Sequence, residues 1–346
     1  MATLVRRSAV PLFVMGLAFV VAAEPPQKAA TDKVRDKPAV SYRLSGPYTH
    51  DNLTIFLIHG DDQKKGWHFV TLDEALKHKM VVVHETKNVN QLAIENVSNT
   101  DVFVQAGDIV RGGQQDRTIA FDMIVPPKSG KVPLGAFCVE SGRWTQRGKE
   151  GHLSFGSSTN QLASNALKLA ARKGASQKEV WDNVSKAQMD LKKNLKGEVQ
   201  AAESKSSLEL TLEHKKVVEA IDAYVKKLQA SPEDEKDVIG YAVVINGKVN
   251  NADVYASNRL FTKLWPKLLK ASAVEALAEK NDKKFEPVKV ETVEAFLAAA
   301  EKGKKSEKKI TDRLRQIEQE NDKSILFETC DRDKKDVLIR RSYIAK

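Results

Sequence analysis

The chain has 346 residues, of which 56 are lysine or arginine and 46 are aspartate or glutamate, so its formal net charge is +10 at pH 7. This length allows one large domain or two ordinary ones with a substantial core. The positive charges alternate with acidic residues instead of gathering beside aromatic ones, which argues against a nucleic-acid-binding protein. Two cysteines are too few for a disulfide scaffold of this size.

The N-terminus has the pattern of a secretory signal peptide over residues 1–23. Two arginines precede the apolar segment 8–23, which ends in the small residues that signal peptidase accepts, so we expect cleavage after Ala23. The apolar segment is shorter than the roughly 20 residues that span a bilayer, and this argues against an uncleaved anchor. Without the two arginines, 54 basic residues face 46 acidic ones, a net charge of +8. The sequence therefore predicts a secreted or periplasmic protein with no stable membrane insertion after cleavage.

Residues 24–47 are rich in proline, lysine and aspartate, which predicts a flexible leader. The stretch 48–155 contains short runs of β-branched and aromatic residues, separated by turn residues. One short helix interrupts them, for which Thr71 and Glu74 have the spacing of a capping box. The pattern predicts a β-rich domain, an antiparallel β-sandwich or barrel-like part.

Residues 156–280 predict a helix-rich part packed on the β-rich domain. The third of its predicted helices runs over 207–229 and is followed by a β-hairpin over 238–256. The turn of this hairpin is Asn246-Gly247, a dipeptide that two-residue turns prefer. Together with the preceding strands, these helices predict an α+β fold.

A further helix is predicted after the hairpin, and Pro266 within it is expected to kink or restart it. Residues 281–346 are lysine-rich and are interpreted as a charged C-terminal extension. The extension is expected to be helical at first. It ends in two strand-like runs, 324–330 and 336–344, which predict a second hairpin.

Two short segments hold the densest groups of chemically capable side chains, "GDIVRGGQQDR" at 107–117 and "CVESGRW" at 138–144. The glycine pair of the first segment permits a sharp turn, and a Pro-Pro-Lys-Ser-Gly turn at 126–130 reverses the chain between the segments. We therefore expect the two segments to meet on antiparallel strands, with an arginine held by a carboxylate. The candidate ligand-binding residues are Gln114, Gln115, Asp116, Arg117, Cys138, Glu140, Arg143 and Trp144.

These residue types allow two interpretations. An arginine fork binds carboxylate or phosphate and amides donate and accept, which suits a polar, phosphorylated or sugar-like ligand. Alternatively, Arg117 pairs with Asp116, Asp108 or Glu140 and holds two strands together. Cys138 is a nucleophile if a histidine approaches through the fold, and otherwise a small core residue. We expect no disulfide between Cys138 and Cys330.

Several stretches, taken in order, resemble the ARG and rhodanese-phosphatase-superfamily-associated protein domain: "TLDEAL", "IENVSNTDVFVQAGDIVRGGQQDR", "VPPKSGKVPLGAFCVESGRW", "GYAVVINGKV" and "LFTKLWPKLL". The resemblance covers roughly residues 52–273, and its most specific parts are Gln115-x-Arg117 and 138–144. Other members often have asparagine where this chain has Asp116. The family is named for its association with ADP-ribosylglycohydrolases and rhodanese-phosphatases and has no established activity of its own.

The expected function is binding of a small polar ligand or a protein partner through the β-rich domain. The alternative, implied by the family's associations, is a cofactor-independent hydrolase acting on an ADP-ribose-like or sugar-phosphate compound. In that enzyme Glu140 or Asp116 would be the general acid–base and Arg117 the anion clamp. We expect no cofactor and no metal, because nucleotide-binding, hydrolase and zinc-binding motifs are absent from the sequence. The sequence leaves open whether the protein is an enzyme and what its ligand is.

Overall fold

The computed structural model describes residues 42–346 except 64–65, 87, 144–154, 175 and 230–234. Residues 39–346 form one compact unit. The predicted signal peptide and Trp144 lie outside the described residues. Within the described ranges, no helix is long and apolar enough to cross a membrane.

The strands, in chain order, are β1 Arg43–His50, β2 Leu53–His59, β3 Val70–Thr71, β4 Val81–His84, β5 Gln91–Asn96, β6 Val102–Val104, β7 Asp108–Gly112, β8 Arg117–Ile119, β9 Met123–Val125, β10 Lys131–Cys138, β11 Phe155–Gln161, β12 Val238–Ile245, β13 Lys248–Tyr255, β14 Lys304–Lys309, β15 Leu314–Glu320, β16 Ser324–Asp331 and β17 Val337–Ala345. The α-helices are α1 Leu72–Lys77, α2 Asn165–Arg172, α3 Gln177–Asn194, α4 Leu208–Leu212, α5 Lys215–Leu228, α6 Asn258–Glu279 and α7 Val290–Ala300.

The fold is α+β, as predicted, and its largest sheet has eight antiparallel strands in the order β1-β2-β12-β13-β17-β16-β15-β14. Three separate stretches of the chain build this sheet: the first two strands, the hairpin β12-β13, and the last four strands. Residues 281–346, interpreted from sequence as an extension, therefore supply half of its strands and are an integral part of the fold. The sheet also begins inside the predicted leader 24–47, because β1 starts at Arg43.

The N-terminal part is rich in antiparallel strands, as expected. A six-stranded sheet has the order β11-β7-β8-β10-β5-β4, and a three-stranded sheet has the order β3-β6-β9. In the smaller sheet the pair β3-β6 is parallel. The strands β7, β8 and β10, which carry the two polar segments, are neighbours in the centre of the six-stranded sheet.

The central strands β2 and β12 of the eight-stranded sheet are buried on both faces, whereas the edge strand β14 is exposed. Ile55 and Leu57 of β2 belong to the core that includes α6, whereas Phe56 and Ile58 belong to the core that includes α7. Successive side chains of a strand point to opposite faces, so β2 reads as a continuous apolar run instead of an alternating one.

Local signals predicted several elements correctly. The side chain and backbone of Thr71 form both hydrogen bonds of a capping box with Glu74 at the start of α1. Asn246 and Gly247 have φ angles of 50° and 73° and join β12 to β13, as a two-residue turn requires. Ser324–Asp331 and Val337–Ala345 pair as the predicted second hairpin.

Other expectations were wrong. The predicted helix 207–229 is two helices, because the His214 side chain accepts a hydrogen bond from the Lys216 N–H and starts α5. The segment after residue 303 is strand β14, not helix, and β15 follows it since both pair within the large sheet. Of the two outcomes expected at Pro266, a kink or a restart, the restart does not occur, because α6 continues through Pro266 as one helix of 22 residues.

Candidate functional site

The two polar segments meet, as the sequence predicts. Arg117 lies opposite Cys138 in the antiparallel pair of β8 and β10. Beyond the end of that pair, the Asp116 N–H donates to Glu140 Oε2 at 3.4 Å and the Val139 N–H donates to the Asp116 carbonyl at 3.0 Å. We call the residues Gln115, Asp116, Arg117, Cys138, Glu140 and Arg143 the polar network.

The glycine pair shapes the turn that presents this network. Gly112 and Gly113 have φ angles of 113° and 56°. A Cβ on Gly113 would lie 2.5 Å from Phe155 Cζ, so the turn has no space for a side chain there. The Asp116 Oδ1 accepts the Gly112 N–H at 3.1 Å and closes the turn.

Arg117 is buried, with 2% of its surface exposed. Its carboxylate partner is Glu85, 3.4 Å away, and none of the three carboxylates that sequence reasoning considered. The guanidinium also donates to the Val89 carbonyl at 2.7 Å and contacts the Cys138 sulfur. Arg117 therefore ties β8 and β10 to the segment that follows β4.

Glu140 and Arg143 form the second ion pair of the network, with 2.8 Å between Arg143 and Glu140 Oε2. Arg143 also lies 3.7 Å from Asp116 Oδ1. Helix α3 binds the adjoining backbone, since Trp181 Nε1 donates to the Glu140 carbonyl at 3.1 Å and the Gln177 amide bonds both the N–H and the carbonyl of Cys138 at 2.8 Å. The second segment is thus held by charge and by a helix.

Cys138 has the environment of a core residue. Burial raises the pKa of its thiol to about 11, against the opposing charge of Arg117, so the thiolate needed of a nucleophile does not form near neutral pH. Cys138 and Cys330 are both buried and no disulfide joins them, as expected.

The remaining candidates occupy different surroundings. Gln114 is partly exposed and its N–H donates to Glu85 Oε1 at 3.1 Å. The amide of Gln115 is buried and neither of its polar atoms has a hydrogen-bond partner among the described residues. Gln115, Asp116, Cys138 and Glu140 are 0% exposed. The candidates that the structure describes therefore converge, and all of them except Gln114 and Arg143 are buried.

A cavity of about 740 Å³ lies at another place in the fold. Its walls are the turn between β12 and β13, the beginning of α2, one face of α3, the end of α6, residues 281–286 and the C-terminal residues. We call it the hairpin cleft. Its amide-bearing residues are Asn165, Asn183, Asn246, Asn250 and Asn281. Lysines and carboxylates complete the polar part of the lining, and Ile245, Val249 and Phe285 add apolar surface.

Glu275 is the chemically most distinctive residue of the hairpin cleft. It is 1% exposed, and its Oε1 accepts the N–H of Asn165, the first residue of α2, at 2.7 Å. Lys168 Nζ lies 3.9 Å from Oε2, but no hydrogen bond of ordinary geometry reaches this oxygen. Burial raises the pKa of Glu275 although Lys168 opposes it. One turn later, burial and the charge of Glu275 raise the pKa of Glu279 to about 7.

Asparagine side chains fix the walls of the cleft. Asn165 Nδ2 donates to the carbonyls of Asn250 and Ala345, at 2.8 and 3.2 Å. Asn246 Nδ2 donates to the Glu279 carbonyl at 2.9 Å. Sequence reasoning found the hairpin turn but not this site, because Asn165 meets Asn250 and Glu275 from 85 and 110 positions away. The asparagine-rich run at 246–251 was the one local signal.

The model of the ARG and Rhodanese-Phosphatase-superfamily-associated Protein domain, ARPP-1, matches residues 41–343. The chain belongs to the ARPP-1 family. The match is longer than the resemblance at residues 52–273, and it reaches into the last strand, so the C-terminal strands belong to the domain. No curated protein and no solved structure matches the chain.

Proposed function

We propose that this ARPP-1 protein binds a small, polyhydroxylated ligand of the saccharide class in the hairpin cleft. The observation that carries the proposal is a cavity of about 740 Å³ whose lining brings five asparagine side chains together with the buried carboxylate of Glu275. Cavities of 300–1,000 Å³ are of the size that encloses small ligands. Glu275 Oε1 accepts the Asn165 N–H and so fixes one of these asparagines in the wall of the cleft.

The amides of the cleft favour the same class of ligand. Asparagine both donates and accepts, so a row of such side chains suits the hydroxyls of a sugar, which do the same. Lysines such as Lys186 and Lys248 also line the cleft and would accommodate an anionic substituent.

The polar network supports ligand binding less well. Asp116, Arg117 and Glu140 would serve the alternative hydrolase only if they opened into a cavity deep enough for a substrate. Their side chains are instead buried and bond Glu85, Arg143 and the Gly112 N–H. We therefore propose that the network stabilises the fold and that the ligand binds at the cleft.

The variant Glu275→Gln separates binding from stability. A carboxyl whose pKa is raised by folding contributes stability that is full below its ordinary pKa and is lost as the pH rises through the folded pKa. Glutamine stays neutral and keeps that contribution, so the variant is expected to be at least as stable as the wild type at pH 7. The ligand-dependent increase in Tm should nevertheless disappear.

The measurement is a thermal-shift screen of residues 24–346 against sugars, sugar phosphates and nucleotides. A ligand at 100 times its Kd stabilises the folded protein by about 2.7 kcal/mol. Glu219→Gln, an exposed glutamate on α5, is the matched control and should keep the response. If no compound shifts the wild type, or if Glu275→Gln responds like the control, ligand binding at the cleft is refuted.

We also propose that the protein is exported, on the pattern of residues 1–23. Protein isolated from its native cells should begin at or near Glu24, as read by N-terminal sequencing. Ala23→Asp should block cleavage because signal peptidase requires a small residue there, whereas Ala29→Asp should not. Recovery of an intact N-terminus in the membrane fraction would contradict export with cleavage.

A further inference from the structure

One imidazole and two carboxylates converge where β2 ends and β12 begins. His59 Nδ1 lies 3.0 Å from Asp237 Oδ1 and 3.7 Å from Glu235 Oε2. One ligand atom from each of the three residues lies within 4.8 Å of the others. None of the three lines the hairpin cleft, so this cluster is independent of the proposed function.

Hydrogen-bond partners surround both ring nitrogens of His59. Nδ1 lies 2.7 Å from Arg43 NH2 and 3.0 Å from Asp237 Oδ1, so it accepts from the guanidinium when it carries the lone pair and donates to the carboxylate when it carries the proton. In the first of these states Nε2 carries the proton and donates to Ser45 Oγ at 2.8 Å. A buried histidine that ligates a metal has the same arrangement, with its second nitrogen bonded to a neighbouring group.

A cation already occupies the centre of the cluster. In the state with the lone pair on Nδ1, this nitrogen and Asp237 Oδ1 are both electron-rich and lie 3.0 Å apart. The Arg43 guanidinium bridges them because it also reaches Asp237 Oδ2 at 2.7 Å. Arg43 is 62% exposed at its side chain and free to turn outward, whereas His59 is 1% exposed.

We propose that His59, Glu235 and Asp237 bind a divalent metal ion that prefers tetrahedral ligation, such as Zn²⁺. The Arg43 guanidinium takes the place of that ion in this structure. Tetrahedral Zn²⁺ with bonds of about 2.0–2.1 Å places its ligand atoms about 3.3 Å from one another. The separations of 3.0 and 3.7 Å bracket that value. Three protein ligands leave a fourth position for water or another exchangeable ligand.

The backbone holds the two carboxylates in place for this role. The Gly60 N–H donates to the Asp237 carbonyl at 2.8 Å, next to the end of β2. Asn258 Nδ2 donates to the Glu235 carbonyl at 3.0 Å, from the first turn of α6. No local pattern indicates this site, because His59 lies 176 and 178 positions from its partners, far outside the paired spacing of familiar zinc motifs.

The test is a titration of residues 24–346 with Co²⁺, whose visible spectrum reports tetrahedral ligation, followed by displacement with Zn²⁺. The wild type is expected to bind one ion. His59→Gln should weaken binding more than about 100-fold, and Ser45→Ala should weaken it about 10- to 100-fold because Ser45 only orients the ring. Arg43→Ala should tighten binding about two- to fivefold, since it removes an exposed competing cation.

His78→Gln, at an exposed histidine after α1, is the matched control and should bind like the wild type. Circular dichroism shows whether His59→Gln is folded. If it is not, Arg43→Ala still tests the proposal, because Arg43 is exposed and its removal is expected to leave the fold intact. The proposal fails if neither the wild type nor Arg43→Ala binds one Co²⁺ ion, or if Arg43→Ala leaves the affinity unchanged. Labelling of Ser45 by a fluorophosphonate in metal-free protein would also overturn it, because His59 Nε2 would then be a base toward Ser45.

Discussion

Arg117→Ala is expected to lower the free energy of unfolding by about 3–5 kcal/mol. The reason is the carboxylate that the variant leaves behind. Glu85 is 7% exposed at its side chain and loses its ion-pair partner in the interior. The Val89 carbonyl loses its 2.7 Å hydrogen bond in the same change. Such a loss of stability exceeds that of an ordinary substitution. It would show that Arg117, in the most specific motif of the family, stabilises the fold by joining β8 to the segment after β4.

Urea unfolding at pH 7 measures this effect, with Arg332→Ala at an exposed position as the control. Adding Glu85→Gln to Arg117→Ala should restore part of the lost stability, because no buried charge then remains unpaired. The ligand response of the folded Arg117→Ala variant should be unchanged. Lost binding without lost stability would instead make Arg117 a ligand-binding residue.

Asp122→Asn is expected to destabilise the protein by a similar amount, about 3–5 kcal/mol. Asp122 is 2% exposed and lies between β8 and β9. It accepts hydrogen bonds from Arg340 and from the Ala106 N–H, both at 2.8 Å, and from the Thr329 hydroxyl at 2.7 Å. Arg172 lies 3.5 Å away. The variant weakens the junction that joins the eight-stranded sheet to α2 and to the smaller sheets.

The pH dependence of the stability difference tests whether the lost charge of Asp122 causes the destabilisation. Burial acts to raise the pKa of Asp122, but the charges of Arg340 and Arg172 outweigh it and hold the pKa below its usual value. A lowered pKa contributes stability above the unfolded value, about 3.9, and this is lost as the pH falls through the folded pKa. The difference between wild type and Asp122→Asn should therefore be constant from pH 5 to 7 and shrink below about pH 4.

Urea unfolding across this pH range provides the measurement. Asp312→Asn, at an exposed aspartate that pairs with Lys309, is the matched control and should show no measurable change at any pH. A difference for Asp122→Asn that does not shrink in acid would mean that packing, and not charge, accounts for its effect.

The polar network shows why a motif rich in functional groups need not be a binding site. Sequence reasoning located Asp116, Arg117, Glu140 and Arg143 correctly and predicted that their segments meet. It did not find Glu85, which is 32 residues from Arg117 and lies after a strand that is not adjacent to β8. The sequence also does not predict that the segment 138–143 is buried, because helix α3, which comes later in the chain, covers it.

The sequence by itself determined the features that depend on a few neighbouring residues. The Thr71 cap, the Gly112-Gly113 turn and the Asn246-Gly247 hairpin follow from backbone angles and from hydrogen bonds within four residues. Family membership also follows from short motifs in a fixed order. These features depend on residues close in sequence and not on contacts with distant parts of the chain.

The tertiary structure alone decided which distant segments became neighbours. Residues 304–320 have the composition of a helix but form strands, because β16 offers an edge whose hydrogen bonds outweigh local propensity. Glu275 lies in a cleft only because α2 begins against α6, and His59 meets Asp237 only because β2 pairs with β12. Such contacts depend on the order and register of strands in a sheet, and no local pattern specifies either.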